Sequence, residues 1–201
     1  MNNEPDLEIR ENLINIFNSK KYSELIKTAS NLTKDYPRSL FLFSILGSTQ
    51  NELENYKDSI ICFQKTIEIN PNFSDGYYNL GIVYRKVKEI EKSINNYNYC
   101  LKFNPKKFEA YNNLGNIYKD KQNIDLAVEC YVNCLEINPN YNFALQNFGI
   151  CLQNYKLSKR SNVIEKHIIS LLEKNKILRP VDIINSLISY MYLDTNLNNI
   201  I

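Results

Sequence analysis

The residues that interrupt regular structure recur in this chain at a constant interval of 34 residues. Four of the six prolines share this spacing, and so do four of the five glycines. They are Pro37, Pro71, Pro105 and Pro139, and Gly47, Gly81, Gly115 and Gly149. A fixed period in this range indicates a repeat architecture, in which each copy buries its apolar face against its neighbours. The chain of 201 residues is therefore predicted to be an array of short copies.

Alignment on the period shows that the copies share more than their proline and glycine. Each of three consecutive copies has an amphipathic stretch with Leu-Gly, then a second stretch with an aromatic residue, and closes with Asn-Pro. The pairs and aromatics are Leu46-Gly47, Leu80-Gly81, Leu114-Gly115, Phe63, Tyr97, Tyr131, Asn70-Pro71, Asn104-Pro105 and Asn138-Pro139. Proline cannot continue a helix and disfavours helical geometry in the residue before it. Each Asn-Pro is therefore predicted to end a second helix.

The repeated glycines stand in the middle of predicted helices. Glycine there costs about 1 kcal/mol relative to alanine, so a glycine repeated at one position needs a cause. We expect Gly81 and Gly115 to mark a close approach of the first helix to the second. Ser93 and Ala127 are predicted to be the small partners in that contact.

This pattern resembles the tetratricopeptide repeat, in which each unit is a pair of antiparallel helices. The two middle copies match it at eight positions each, which are Tyr77, Leu80, Gly81, Tyr84, Ser93, Tyr97, Cys100 and Pro105, then Tyr111, Leu114, Gly115, Tyr118, Ala127, Tyr131, Cys134 and Pro139. The resemblance implies an all-α fold, a right-handed superhelix of stacked helix pairs. It covers residues 6–174, with copies at about 6–39, 40–73, 74–107, 108–141 and a degenerate one at 142–174. The last copy is expected to end in a capping helix over 158–174, with Ile164, Ile168, Leu171 and Leu172 facing inward.

Residues 175–201 break the period. Pro180 suits the first position of a helix and Asp182 suits its first turn. The helix predicted here has a broad apolar face that must be covered. It could seal the end of the array, join a further domain, or form a self-association surface that makes a homodimer through 177–201.

One asparagine stands two residues before the repeat glycine in three copies, as Asn79, Asn113 and Asn147. In the family this register lies on the concave wall of the groove that binds peptides. It resembles the asparagine ladder in the solenoid of O-linked N-acetylglucosamine transferases. A primary amide offers a donor and an acceptor, which match both polar groups of a peptide unit. Neighbouring helices lie roughly 10 Å apart, and an extended peptide advances about 3.4 Å per residue. Successive asparagines could therefore contact about every third residue of the ligand. Alternatively, the amides only satisfy helix termini or bind water.

Further polar residues are expected to flank this ladder and to complete a peptide-binding set. They are Asn112, Asn116, Lys86 and Lys119. Asp75 and Glu109 lie in the same region, and this mixed charge argues against a strongly acidic or basic ligand. The two-carboxylate clamp of chaperone cofactors needs cations on successive first helices. Those positions hold residues such as Ser44 and Ser48 here, so charge-assisted capture of carboxylates is not expected in that form.

Composition excludes several classes of function. A net charge of +2 gives no electrostatic reason for nucleic-acid binding. No apolar run of 18 residues exists, so no membrane span is expected. The amino-terminal residues lack the pattern of a secretory signal, and five cysteines without a CxxC pair suggest a reducing compartment. A cytoplasmic location follows as an expectation.

The residues that could carry chemistry have simpler structural explanations. Cys130 and Cys134 share a helix face, but no nearby histidine or third cysteine completes a tetrahedral metal site. Core packing is the favoured role for both. His167 is predicted to be a surface residue. No phosphate loop, nucleophile elbow or metal-binding helix motif appears, so we expect no catalysis, no metal and no cofactor.

The sequence therefore predicts a non-enzymatic protein-interaction module that holds an extended peptide or protein segment in its groove. A second interpretation is the substrate-recruiting arm of a larger transferase, because similar solenoids precede glycosyl-, methyl- and sulfotransferase domains. A third is a self-assembly module that uses residues 177–201.

Overall fold

The computed structural model describes residues 3–153, which contain nine α-helices and no β-strand. The helices are α1 (Leu7–Asn18), α2 (Tyr22–Asp35), α3 (Leu40–Glu52), α4 (Tyr56–Ile69), α5 (Ser74–Lys86), α6 (Ile90–Phe103), α7 (Phe108–Asp120), α8 (Ile124–Ile137) and α9 (Asn142–Gln153). The predictions for 158–174, for 175–201 and for His167 lie outside the described residues.

The chain forms two compact units, Met1–Pro105 and Lys106–Ile201. In the first unit, α1 packs on α2, α3 on α4 and α5 on α6, and α2 also packs on α3 and α4 on α5. In the second unit, α7 packs on α8 and α8 packs on α9. The all-α architecture of successive helix pairs is thus confirmed.

A residue in the left-handed region of backbone conformation ends the first helix of each complete pair. These residues are Lys20, Glu54, Lys88 and Gln122, with φ angles of 57°, 60°, 64° and 60°. The next backbone N–H reaches back across the helix end, as when Glu89 N donates to Tyr84 O at 2.9 Å. This six-residue hydrogen bond satisfies a carbonyl that the helix end would otherwise leave without a partner. The turn therefore reverses the chain tightly without a glycine.

The second helices end where the Asn-Pro pairs predict. Asn70, Asn104 and Asn138 are the caps, with φ near −130° and ψ between 85° and 99°. All three residues are outside the α-helical region, which a following proline disfavours. Asn70 also holds the turn in place, because its Oδ1 accepts a hydrogen bond from Asn72 N at 3.0 Å.

The repeat glycines do mark a close approach of the two helices in a pair, but the nearest neighbour differs from the prediction. A Cβ at Gly81 would lie 2.6 Å from the ring of Tyr97, and one at Gly115 would lie 2.6 Å from the ring of Tyr131. The aromatic residue of the second helix, rather than the small Ser93 or Ala127, therefore lies flush against the glycine. Its ring occupies the space that a side chain on the first helix would need.

The small residues have a different part in the same contact. Ser93 Oγ donates a hydrogen bond of 2.6 Å to the carbonyl oxygen of Gly81. Ser59 makes the equivalent bond to Gly47 O at 2.8 Å in the preceding pair. The pair of α7 and α8 has Ala127 at this position, so α8 packs against α7 without this side-chain bond.

Each unit has its own apolar core. In the second unit the core joins α8 to α9, and Tyr131 and Phe148 are its largest fully buried side chains. In the first unit one cluster joins α1, α2 and α3, and another places Phe63 of α4 against Leu80 and Val83 of α5. Tyr84 packs against this second cluster.

Candidate functional site

The three ladder asparagines lie on first helices at equivalent positions. Asn79 is on α5 of the first unit, whereas Asn113 on α7 and Asn147 on α9 belong to the second unit. All three side chains are half-buried. The structure therefore brings Asn113 and Asn147 into one compact unit, where α7 also contacts α9.

A hydrogen bond between Lys119 and Asn147 connects these two first helices. The ammonium Nζ of Lys119 donates to Asn147 Oδ1 at 2.7 Å, and both side chains are half-buried. One polar atom of the ladder amide is thus engaged within the protein by a cation. The amide nitrogen of Asn147 takes no part in that bond and keeps its donor character.

Asn112 and Asn116, which are also predicted to bind peptide, lie at different depths on α7. Asn116 is held by the core, because the hydroxyl of Tyr131 donates to Asn116 Oδ1 at 2.9 Å. Asn112 is only 5% exposed, and its Oδ1 has no hydrogen-bond partner. It lies deeper than the open flanking position that the sequence predicts. A buried acceptor without a donor costs about 1–3 kcal/mol, so it requires an explanation.

Two rows of residues at helical spacing, one on α7 and one on α9, are joined by the hydrogen bond between Lys119 and Asn147. Asn112, Asn116 and Lys119 are at positions i, i+4 and i+7, so they share one face of α7. On α9 the same spacing relates Phe143, Asn147 and Ile150. We call the set of Asn112, Asn116, Lys119, Phe143, Asn147 and Ile150 the α7–α9 surface.

Two large apolar side chains on this surface are open to solvent. Phe143 is 64% exposed and Ile150 is 51% exposed. The repeat pattern does not point to these two residues, although their spacing on either side of Asn147 is a usable signal. Tyr141 supports Phe143 from one edge, with ring centroids 5.6 Å apart.

In the first unit the predicted binding residues do not form an equivalent cluster. Lys86 Nζ lies 5.7 Å above the ring centre of Tyr56. This cation–π contact joins the end of α5 to α4 in the preceding pair. Asn79 therefore stands on α5 without a lysine bonded to its amide oxygen.

The cysteines of the second unit have the character of core residues. Burial raises the pKa of Cys130 to about 12, with Glu129 and Cys134 adding to the effect. Burial likewise raises the pKa of Cys134 to about 12. Both thiols are protonated at neutral pH and are poor nucleophiles. Among residues 3–153, no three His, Cys, Asp or Glu side chains are grouped so that they could hold a metal ion.

Models of known families match the central part of the chain. Models described as tetratricopeptide repeats match residues 43–73, 62–95 and 108–141, and a TPR repeat model matches 83–122. Residues 43–141 of this chain are tetratricopeptide repeats. The family models thus match the part of the chain that has the 34-residue period, and the predicted family is confirmed. No curated protein matches the chain in a sequence search.

Solved structures of tetratricopeptide-repeat proteins share the fold at low identity. The crystal structure of MamA is 22% identical, with a TM-score of 0.66 over 81% of this chain and 93% of that one. YrrB, described as a TPR protein with an unusual peptide-binding site, is 15% identical, with a TM-score of 0.59 over 82% and 89%. The first TPR of Spaghetti (RPAP3), bound to an HSP90 peptide, is 20% identical, with a TM-score of 0.54 over 57% and 90%.

The tetratricopeptide repeats of the described region include no helix with the length and apolar character needed to cross a bilayer.

Proposed function

We propose that this chain is a non-enzymatic protein-interaction scaffold that holds an extended peptide segment through the first helices of its repeats. The observation that carries this proposal is the pair of half-buried amides, Asn113 and Asn147, at one register of adjacent first helices in the second unit. Side-chain amides can bond both the N–H and the C=O of a ligand backbone. These two amides bind the main chain of the ligand and do not themselves select its side chains.

The solved relatives support this role for the fold. The structures of RPAP3 and YrrB are described with a bound peptide and a peptide-binding site, respectively. In this chain we assign peptide binding to α7 and α9, where Lys119 donates a hydrogen bond to the amide oxygen of Asn147. That hydrogen bond fixes the side-chain orientation, so the amide nitrogen is directed before a ligand arrives. A side chain ordered in advance loses less conformational entropy on binding.

The test is a double substitution, Asn113→Ala with Asn147→Ala, in the full chain. Peptides are selected from a displayed random library with the unsubstituted protein, and a consensus peptide is titrated against both proteins. We expect the double variant to bind this peptide about tenfold or more weakly, since two backbone hydrogen bonds are lost. Thermal unfolding should change little beyond the loss of the Lys119–Asn147 hydrogen bond, because neither side chain lies in the apolar core.

A matched control replaces two exposed asparagines on the second helix α6, as Asn95→Ala with Asn98→Ala. These substitutions remove the same chemical groups from another surface and should leave peptide affinity unchanged. Equal weakening by both double variants, or a parallel loss of stability and binding in the ladder variant, would show that the amides have a structural role only.

A further inference from the structure

We propose that the α7–α9 surface selects extended segments in which a carboxylate is flanked by large apolar side chains. This inference rests on the proposed function and specifies the class of peptide that the second unit takes. The carboxylate would come from an aspartate or glutamate side chain of the partner. Three observations on the surface point to this ligand.

The first observation is the charge of Lys119. Its ammonium group can donate three hydrogen bonds, and in the structure it donates to the neutral oxygen of Asn147. Within residues 3–153, no ion pair involves Lys119. A half-buried cation whose bound acceptor is neutral favours a carboxylate, because a charge-assisted hydrogen bond is shorter and stronger than a neutral one.

The second observation is the acceptor of Asn112, on the same face of α7 as Lys119. Its Oδ1 is buried and has no donor. A carboxylate cannot supply one, but a backbone N–H of the same ligand can. The equivalent residues of the first two copies, Arg10 and Ser44, also carry a buried polar atom without a partner. Three of the four copies within residues 3–141 thus have such an atom at this register, and the remaining copy has Tyr78 there.

The third observation is the apolar character of α9 on both sides of Asn147. Phe143 lies four residues before it and Ile150 three residues after it, so all three are neighbours on one helix face. With 64% and 51% of their surfaces exposed, they would gain by being covered. On the protein, Asn147 with the Lys119 ammonium at its oxygen lies between Phe143 and Ile150. The matching ligand has a carboxylate between two apolar side chains.

The experiment compares peptide selection by the unsubstituted chain with selection by Lys119→Met, which keeps the length of the side chain and removes its charge. Lys119→Arg restores the charge, and Lys57→Met removes an exposed lysine from the second helix α4. Each protein selects from the same displayed library of random peptides. A synthetic consensus peptide, and a copy with its acidic residue changed to the amide, are then titrated at low and high salt.

The unsubstituted chain, Lys119→Arg and Lys57→Met should all enrich acidic residues next to large apolar ones. Lys119→Met should lose the acidic preference and bind the consensus peptide about tenfold more weakly. High salt should weaken binding of the unsubstituted chain more than binding of Lys119→Met, because the charge contribution is screened. Phe143→Ala with Ile150→Ala should lose the apolar preference while the acidic one is kept.

Two results would overturn the inference and leave the proposed function in place. One is a peptide consensus without acidic residues that still depends on Asn113; the other is an acidic preference that persists in Lys119→Met. Failure to enrich any peptide would overturn both proposals. Two further results would exclude a separate partner and assign the surface to binding of this chain itself. One is a peptide consensus that matches a stretch of residues 154–201. The other is a molar mass of the protein that doubles with concentration and falls in Phe143→Ala.

Discussion

A single hydroxyl group distinguishes the first two of three otherwise similar helix contacts. Ser59 and Ser93 each bond the carbonyl of the repeat glycine on the partner helix, while Ala127 has a methyl group at that position. Both serines are fully buried. A buried hydroxyl with a partner stabilises a fold modestly, whereas one without a partner is costly. The serine contacts therefore add directional bonds to what is otherwise a packing interaction.

Removing one of these hydroxyls should have a measurable cost. We expect Ser93→Ala to lower the free energy of unfolding by about 1 kcal/mol, the usual value of one net hydrogen bond. Urea unfolding followed by circular dichroism measures the change. Ser23→Ala, at an exposed position of α2, is the control and should have little effect. A loss no larger than the control's would mean that the bond to Gly81 contributes nothing.

Some residue contacts could not be read from the sequence because they depend on how side chains reach across space. The period predicted where the helices approach closely, but not that the rings of Tyr97 and Tyr131 cover the glycines. Gly76 lies outside the period, yet a Cβ there would meet Thr66 and Ile67 of α4. The bond from Lys119 to Asn147 joins residues 28 positions apart through a flexible lysine. No spacing rule on one helix anticipates such a pair.

At the scale of the elements, the turns inside the helix pairs use a conformation that L-residues adopt reluctantly. A left-handed residue with a Cβ costs roughly 1–2 kcal/mol relative to ordinary geometry. Glycine would avoid that cost, but the chain places Lys20, Glu54, Lys88 and Gln122 there. The gain is a helix end whose carbonyls are capped by the following N–H groups.

Replacing one of these residues by glycine should stabilise the chain. We expect Gln122→Gly to raise the free energy of unfolding by about 0.5–1 kcal/mol, since relief of the left-handed strain exceeds the entropy that glycine adds to the unfolded state. Thermal unfolding monitored by calorimetry is the measurement. Gln122→Ala keeps a Cβ and should give no such gain. If glycine and alanine behave alike, the turn is not strained.

Helix boundaries were predicted well where a proline or the apolar period determines them. They were predicted less well where a residue from a distant part of the chain caps the helix. The Asn-Pro pairs end α4, α6 and α8 as expected, because proline acts on its own neighbour. The start of α3 is different. Leu40 N at its beginning donates to the Glu4 carboxylate at 2.8 Å, and Ser39 Oγ also bonds to Glu4. A contact over 36 residues leaves no local signature in the sequence.

At the scale of the whole molecule, stability is distributed over units that have separate cores. In repeat proteins, stability is approximately a sum of terms within units and between nearest neighbours. A defect in one pair therefore need not unfold distant pairs at the same free energy. The glycine contacts offer a way to introduce such a defect at one place.

Gly115→Leu places a large side chain where even a Cβ would lie 2.6 Å from the Tyr131 ring. Overpacking of this kind costs about 1–3 kcal/mol or more. We expect hydrogen exchange, measured by mass spectrometry, to show faster exchange in α7 and α8 while α1 to α4 keep their protection. Glu129→Leu adds the same side chain at an exposed position of α8 and should leave exchange unchanged. Uniform loss of protection along the chain would contradict the separate cores.

The left-handed residues recur with the period of the prolines, so the backbone passes through matching torsion angles at corresponding places in successive copies. A segment of 34 residues cut at two such places begins and ends in the same geometry. Its removal or duplication would rejoin ends that already fit, with no junction to be rebuilt. A chain constructed in this way can change its length in whole repeats.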